Sequence, residues 1–411
     1  MTDDLTSTLS RELAEQAHAM DGSTLHLTDI KGRARSIRRR RTATAVAGAA
    51  AALALITPIA VIADHTGGSR NNPMPPATQD VSPSPTPPAG HQPAPGALDV
   101  SDLPTGDAPR VEYLSDGNVL RHTDGSMVSV DTTFPISSFA VLADGTHLWV
   151  TAHNGTPYVE VQDPQGHLHD PMPSGWAVSV NKSHTVGAWV RPDGQVMTWN
   201  AGATEPVAYR DPVPASDDLR IGPVLGDGCG PRQSCEVHVN VSERRTGAWQ
   251  PWLVDVNGTQ PLLDGGYRFL ADSSESGLSI GQTEITDSGS CSTLLGGGEF
   301  QGFQTCQHTL ESFSPDGNLI LGTPAYQDGV GNGEIAMYNL RGTMLFNRHS
   351  TAKTQAHYPR AEWEDGTHVL APVFQDGQWS IVRIASDGSM EYAVPPVPGQ
   401  DVEAPFILPT N

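Results

Sequence analysis

One short unit recurs through the C-terminal part of this chain: an apolar or aromatic strand, a polar residue, Asp-Gly, and a second apolar strand. The clearest copy is Phe313, Ser314, Pro315, Asp316 and Gly317, followed by Asn318, Leu319, Ile320 and Leu321. It continues through Glu334–Leu340, Gly342 and the apolar Met344–Phe346. A second copy runs Trp363, Glu364, Asp365, Gly366, then Thr367–Ala371, Trp379–Ile384, Asp387-Gly388 and Met390–Tyr392. Earlier copies are Leu114–Gly117, Val141–Gly145 with Leu148–Val150, and Val190–Gly194 with Val196–Trp199. Asp-Gly between apolar runs marks a hairpin, because glycine takes positive φ without a Cβ penalty and aspartate bonds its own backbone.

Two hairpins make a four-stranded sheet, and such a sheet cannot cover both of its own faces. Radial stacking of repeated sheets covers them, which predicts a β-propeller. Comparable phases fall at Phe139, Ala177, Ile221, Leu278, Phe313 and Trp363, with gaps of about 35 to 57 residues, against roughly 40–50 per blade. The expected fold class is all-β, a six- or seven-bladed β-propeller from about Ala108 to Ile407, and seven is the preferred count. The opening run Val111–Val130 is less than a blade, and Ala404–Leu408 is a lone strand. Together they complete one blade and close the ring.

The repeat resembles the WD-type and TolB-like propellers over roughly residues 108–408, best at Phe313–Gly317. The Gly-His and Trp-Asp signatures of WD repeats are missing, and the other copies are degenerate. Ahead of these repeats, the stretch Leu9–Ala63, chiefly Ala19–Gly22 and Gly32–Arg40, resembles the N-terminal part of actinobacterial single-pass membrane-anchored propeller proteins, some encoded beside extracytoplasmic-function sigma factors.

Ahead of the repeats, Ala43–Ala63 is an uncharged apolar run of 21 residues, enough to cross a hydrocarbon core of roughly 30 Å as a helix. Arg33, Arg35 and the run Arg38, Arg39, Arg40 and Arg41 precede it, and Asp64 follows. The positive-inside rule places the N-terminus in the cytoplasm and the bulk outside. The alternative is a cleaved leader, with Val61 and Ala63 at the cleavage site; the long basic lead-in and the length of the apolar run argue against it. The expected organisation is a basic cytoplasmic tail over 1–41, a transmembrane helix over 42–63, a disordered Pro/Ser/Thr-rich linker over 64–105 and an extracytoplasmic propeller over 106–411. Within the tail, Leu5, Leu9, Leu13 and Ala17 form an apolar stripe, suited to a membrane surface or a partner.

Charge narrows the partners. The chain holds 24 basic and 46 acidic residues, and residues 42–411 keep 16 and 40 of them, a net −24. An acidic outer domain disfavours nucleic acid and anionic lipid. All four cysteines, Cys229, Cys235, Cys291 and Cys306, lie in that domain. An even count in an extracytoplasmic context predicts disulfides, with local pairing favoured among the three connectivities. Neither pair has CxxC spacing, which disfavours zinc. The long Cys291–Cys306 loop is a candidate binding element.

No G-x-S-x-G elbow, H-E-x-x-H or Walker loop is present, so catalytic, metal and cofactor residues are all expected to be none. His167 and His169 share a strand face, a pattern that suits a surface turn better than a metal. Most of the eight tryptophans are expected in the core, with one or two at the top of the ring. The favoured function is a non-enzymatic, membrane-anchored binding protein for a cell-envelope protein or glycan. One alternative is regulation of a cytoplasmic sigma factor through residues 1–41. A second is an extracytoplasmic glycan lyase or hydrolase, its carboxylates drawn from several blades.

Overall fold

A computed structural model describes residues 96–410, apart from 217, 231, 232, 234, 244–247, 263–265, 287, 297–301 and 328–330. The expected cytoplasmic tail, membrane span and most of the linker lie outside the described residues. Among the described residues there is no α-helix, and hence none long and apolar enough to cross a membrane.

Seven sheets make the fold, a seven-bladed propeller. Blade 1 consists of Tyr113–Ser115, Val119–Arg121 and Met127–Ser129, with Phe406–Ile407 as its innermost strand. The C-terminal strand therefore closes the ring, pairing Leu114 with Ile407 and Ser115 with Phe406. In each later blade the chain runs from inner to outer strand. The inner strands of blades 2 to 7 are Ile136–Val141, Ser179–Val180, Leu219–Leu225, Phe269–Ser273, His308–Phe313 and Glu362–Trp363. One face of the ring carries the inner-to-second and third-to-outer turns, here the turn face. The opposite face carries the second-to-third hairpins and the crossovers between blades, here the crossover face.

Second and third strands are sandwiched between neighbouring blades, so they are apolar on both sides. Val186–Val190 is buried at every position. Among the described residues, apolar clusters fill six of the seven interfaces between blades, for example Leu148, Val150, Val161, Trp189 and Trp199 between blades 2 and 3. Blades 4 and 5 are instead clasped by the buried Asn240 side chain. Its amide donates to the Leu270 carbonyl at 2.9 Å, and its oxygen accepts the Leu270 N–H at 2.8 Å. A buried amide with both ends satisfied holds the interface without the cost of orphaned polar groups.

The repeat motif behaves as its residues dictate. In blade 6 the Ser314 hydroxyl donates to Asp316 at 2.6 Å, the Gly317 N–H returns to the Ser314 carbonyl at 2.8 Å, and Gly317 sits at φ 72°. Of the expected phases, Phe139, Ile221, Phe313 and Trp363 lie on inner strands, and Ala177 lies just before one. Leu278 precedes the second strand of blade 5, whose inner strand Phe269–Ser273 reads FLADS and carries little β signal.

The propeller begins earlier than the composition suggests. Gly96–Ala97, within the stretch read as linker, adds in parallel to the outer strand Met344–His349 of blade 6. Leu98 and Val100 follow into the core between blades 6 and 7. Thr105 then bridges Tyr392 on the outer strand of blade 7. Arg383 clamps the end of this strap: it donates to the Asp107 and Ala108 carbonyls at 3.0 Å each and pairs with Glu364 and Glu391.

Candidate binding face

The turn face and the axis are largely satisfied internally. Glu112 accepts from His147 at 2.7 Å and from His122 at 2.5 Å. Lys182, in the turn after the inner strand of blade 3, reaches Asp272 on blade 5 at 2.8 Å and the Phe313 carbonyl on blade 6 at 3.2 Å. The same Asp272 oxygen accepts the Phe313 N–H at 2.8 Å. One side chain therefore ties three blades together.

Other groups stand on or beside the inner strands. Glu311 occupies a bulge in the blade 6 inner strand, between Leu310 and Ser312. It is solvent-accessible yet densely surrounded, and burial pushes its carboxyl up; the Thr323 hydroxyl, donating at 2.6 Å, and the nearby Arg360 only partly offset this. Arg360 also pairs with Glu362 and donates to the Thr410 hydroxyl at 3.2 Å. Comparable bulges interrupt the inner strands of blades 2, 4 and 5.

The crossover face differs in kind. Among the described residues it carries Trp176, Ile285, Tyr326 and Val402, four of the seven large apolar side chains left exposed. Trp176, 55% exposed, stands on the crossover from blade 2 to blade 3. Phe134, on the first crossover, stacks on His153 at 4.6 Å and leans on Tyr158 at 5.4 Å. Trp249 packs edge-on against Phe269 at 5.4 Å, with the Arg220 guanidinium 5.9 Å above its ring. At blade 1 the hairpin 116–118 and the crossover 130–136 enclose an open groove of about 390 Å³, with Asp116, Asn118, Asp131, Phe134 and Ile136 in its lining.

The sequence-derived candidates are placed as follows. Cys229 pairs with Cys235 and Cys291 with Cys306, at Cα separations of 5.0 and 4.1 Å. The first bridge sits in the blade 4 turn, buried against Asn200, which accepts the Cys229 N–H at 2.8 Å. The second staples the crossover-face end of the third strand of blade 5 to the residue after its outer strand. The described ends of the long loop between those cysteines, Gly296 and Gly302, lie toward the opposite, turn face, where Phe303 stacks on Tyr338. His167 and His169 part company: His167 bonds Asp163 at 3.1 Å, and His169 meets Trp199 edge-on. Among the described residues no three His, Cys, Asp or Glu side chains group to hold a metal. Trp149, Trp189, Trp199, Trp363 and Trp379 are buried, and Trp176 is the tryptophan on display. Sequence reasoning missed the Lys182–Asp272 bridge, Glu311 and the blade 1 groove. Each joins residues with no shared motif, the first pair 90 positions apart.

The chain is similar in structure to several solved propellers. The β-propeller domain of the Trilobed protease from Pyrococcus furiosus aligns at a TM-score of 0.42 and 9% identity, over 63% of this chain and 84% of that one. YCF48 bound to a D1 peptide aligns at 0.43 and 14% identity, over 71% and 88%. The Dos1 propeller aligns at 0.41 and 13% identity, over 68% and 74%. No protein-family model matches the chain, and no curated protein matches it in sequence.

Proposed function

We propose that this chain is a non-enzymatic binding protein, anchored in the cell membrane by Ala43–Ala63 with its N-terminus in the cytoplasm. Its extracytoplasmic propeller holds a protein or glycan of the cell envelope on the crossover face. The observation behind this reading is that four of the seven large apolar side chains left exposed among the described residues, Trp176, Ile285, Tyr326 and Val402, stand on that face. Rigid scaffolds present binding residues on loops, and exposed aromatic side chains dominate the energetics of interfaces. Polar groups near the axis bond across blades, Lys182 of blade 3 with Asp272 of blade 5 and Arg360 beside blade 7 with Thr410 beyond the closing strand, an arrangement better suited to holding blades together than to turnover. The arginine-rich tail and its apolar stripe favour a second reading, control of a cytoplasmic sigma factor through residues 1–41.

Cross-linked co-purification from native membranes tests both. The full chain is compared with a chain lacking residues 1–41, with Trp176→Ser, and with Val256→Ser on the turn face. An envelope partner retained by the truncated chain and Val256→Ser, but weakened about tenfold or more by Trp176→Ser, is the expected result. Undiminished capture by Trp176→Ser rules out the crossover face. A sigma factor captured only when residues 1–41 are present makes the tail the functional end.

A further inference from the structure

Outer strands of a propeller are sheet edges, and natural proteins guard such edges. Here almost every blade does so. Pro171 and Pro173 guard blade 2, Pro206 precedes the outer strand of blade 3, and Pro261 ends that of blade 4. In blade 5 the outer strand is two residues long and runs into the Cys306 disulfide. The chain's own Gly96–Ala97 covers blade 6. Blade 7 carries Pro395 and Pro396 and is bridged by Thr105.

Blade 1 is the exception. Its outer strand Met127–Ser129 has no proline and no disulfide, no segment covers it among the described residues, and all three of its residues are exposed. Met127 and Val128 are 57% and 50% exposed. The His122 N–H bonds the Ser126 carbonyl at 3.0 Å, and the Val130 N–H bonds the Asn118 carbonyl at 2.8 Å. Val128 lies midway between these bonded pairs, opposite Leu120. In an antiparallel ladder bonded pairs alternate, so Val128 turns its amide inward and Met127 and Ser129 turn theirs outward. By the same alternation Asp131 falls on the side of Met127 and Ser129. It lines the blade 1 groove together with Asp116, and neither carboxylate has a partner among the described residues.

We infer that the outer edge of blade 1 is a strand-addition site for an extended segment of a partner protein that alternates basic and β-branched apolar residues. The segment's backbone bonds Met127 and Ser129, its apolar side chains lie along Val128, and a basic side chain reaches Asp131 and Asp116 in the groove. Gly96–Ala97 on blade 6 shows that an outer strand of this fold accepts an added strand. The two unpaired carboxylates, and the net −24 of residues 42–411, select the basic partner. A second copy of the chain would carry the same negative charge to the same edge. This assignment rests on the binding-module reading and gives it a partner chemistry.

The probe is a labelled, end-capped hexapeptide alternating lysine and valine, titrated into the full-length chain by fluorescence anisotropy. A matched peptide with glutamate in place of lysine is the control. The lysine peptide is expected to bind and to protect the Met127 and Ser129 amides from exchange; the glutamate peptide is not. Ser129→Pro and Asp131→Asn are each expected to weaken binding about tenfold, the loss of one or two hydrogen bonds. Val128→Lys, on an exposed position that leaves the fold intact, is expected to abolish it. Equal affinity for both peptides, or full affinity in Val128→Lys, overturns the proposal. A dimer abolished by Val128→Lys makes a second copy the occupant and overturns it as well. If the peptide fails to bind while an envelope partner is still captured through Trp176, the edge site falls and the binding-module reading stands.

Discussion

Several turns in this propeller are built by a single side chain in an unusual backbone position. The blade 3 turn shows how a residue can hide a repeat. Its sequence is Asn181, Lys182, Ser183 and His184, with no glycine, yet it makes the same bonds as the Asp-Gly turns. His184 takes φ 56°, where glycine is usual, a conformation that costs a side-chain-bearing residue about 1–2 kcal/mol. Its ring nitrogen lies 2.9 Å from the Val141 carbonyl on blade 2, which offsets part of that cost. A motif search keyed to Asp-Gly passes over this turn, because the compensation comes from another blade. Glu112, in ordinary backbone geometry, also takes its role from distant partners, joining the chain's entry into blade 1 to blade 2. Burial raises its carboxyl, but the hydrogen bonds from His147 and His122 outweigh this and hold it below its ordinary 4.5. A depressed folded value contributes stability above pH 4.5 that is lost as pH falls through the folded value. Glu112→Gln is therefore expected to cost about 2 kcal/mol at neutral pH, with the gap to wild type closing in acid. Urea midpoints across pH would show it; a gap independent of pH would mean that the carboxylate is not what His122 and His147 hold.

Among the elements, those that announce themselves in sequence are the hairpins, because their turn chemistry is local. Elements fixed by distant partners do not. Gly96–Ala97 has no strand propensity and follows a proline-rich run, so it reads as linker; it becomes a strand because blade 6 offers an unpaired edge. The only local trace of the strap is the spacing of Leu98 and Val100, which bury themselves between blades 6 and 7. The bulged inner strands are equally silent, since a bulge is defined by the register of its neighbour. The candidate face shares this difficulty: Trp176 was visible as a tryptophan, but its exposure was set by the crossover that carries it. If the strap belongs to the propeller's core, Leu98→Ala should destabilise the whole domain by about 3 kcal/mol, as a large-to-small change in a packed interior does. A linker residue would change nothing. Equilibrium unfolding with an unchanged midpoint would return residues 96–105 to the linker.

At the scale of the whole molecule, the ring depends on two stretches at opposite ends of the domain. Phe406–Ile407 completes blade 1, the Asp116 N–H bonds the Pro405 carbonyl at 3.0 Å, and the Thr410 N–H reaches the Phe139 carbonyl on blade 2 at 2.7 Å. This closure was readable from an incomplete first unit and a lone final strand, since a sheet short of one strand demands it. Its energetics explain why the terminal strand is apolar. Bringing the ends together costs loop-closure entropy that grows only slowly with length, and Phe406 repays it by packing with Trp379 and Ile381 of blade 7 and edge-on against Tyr113 at 6.2 Å. Phe406→Asp places a charge in that cluster and leaves blade 1 without its inner strand. The expected result is a ring open between blades 7 and 1: a larger radius in solution scattering, and a separate early transition for blade 1 ahead of the rest. Retention of one cooperative transition at the wild-type midpoint would mean that the six interfaces elsewhere hold the ring unaided. In that case the closing strand would be a latch that the domain can release, and the blade 1 edge and groove would be free to move with it.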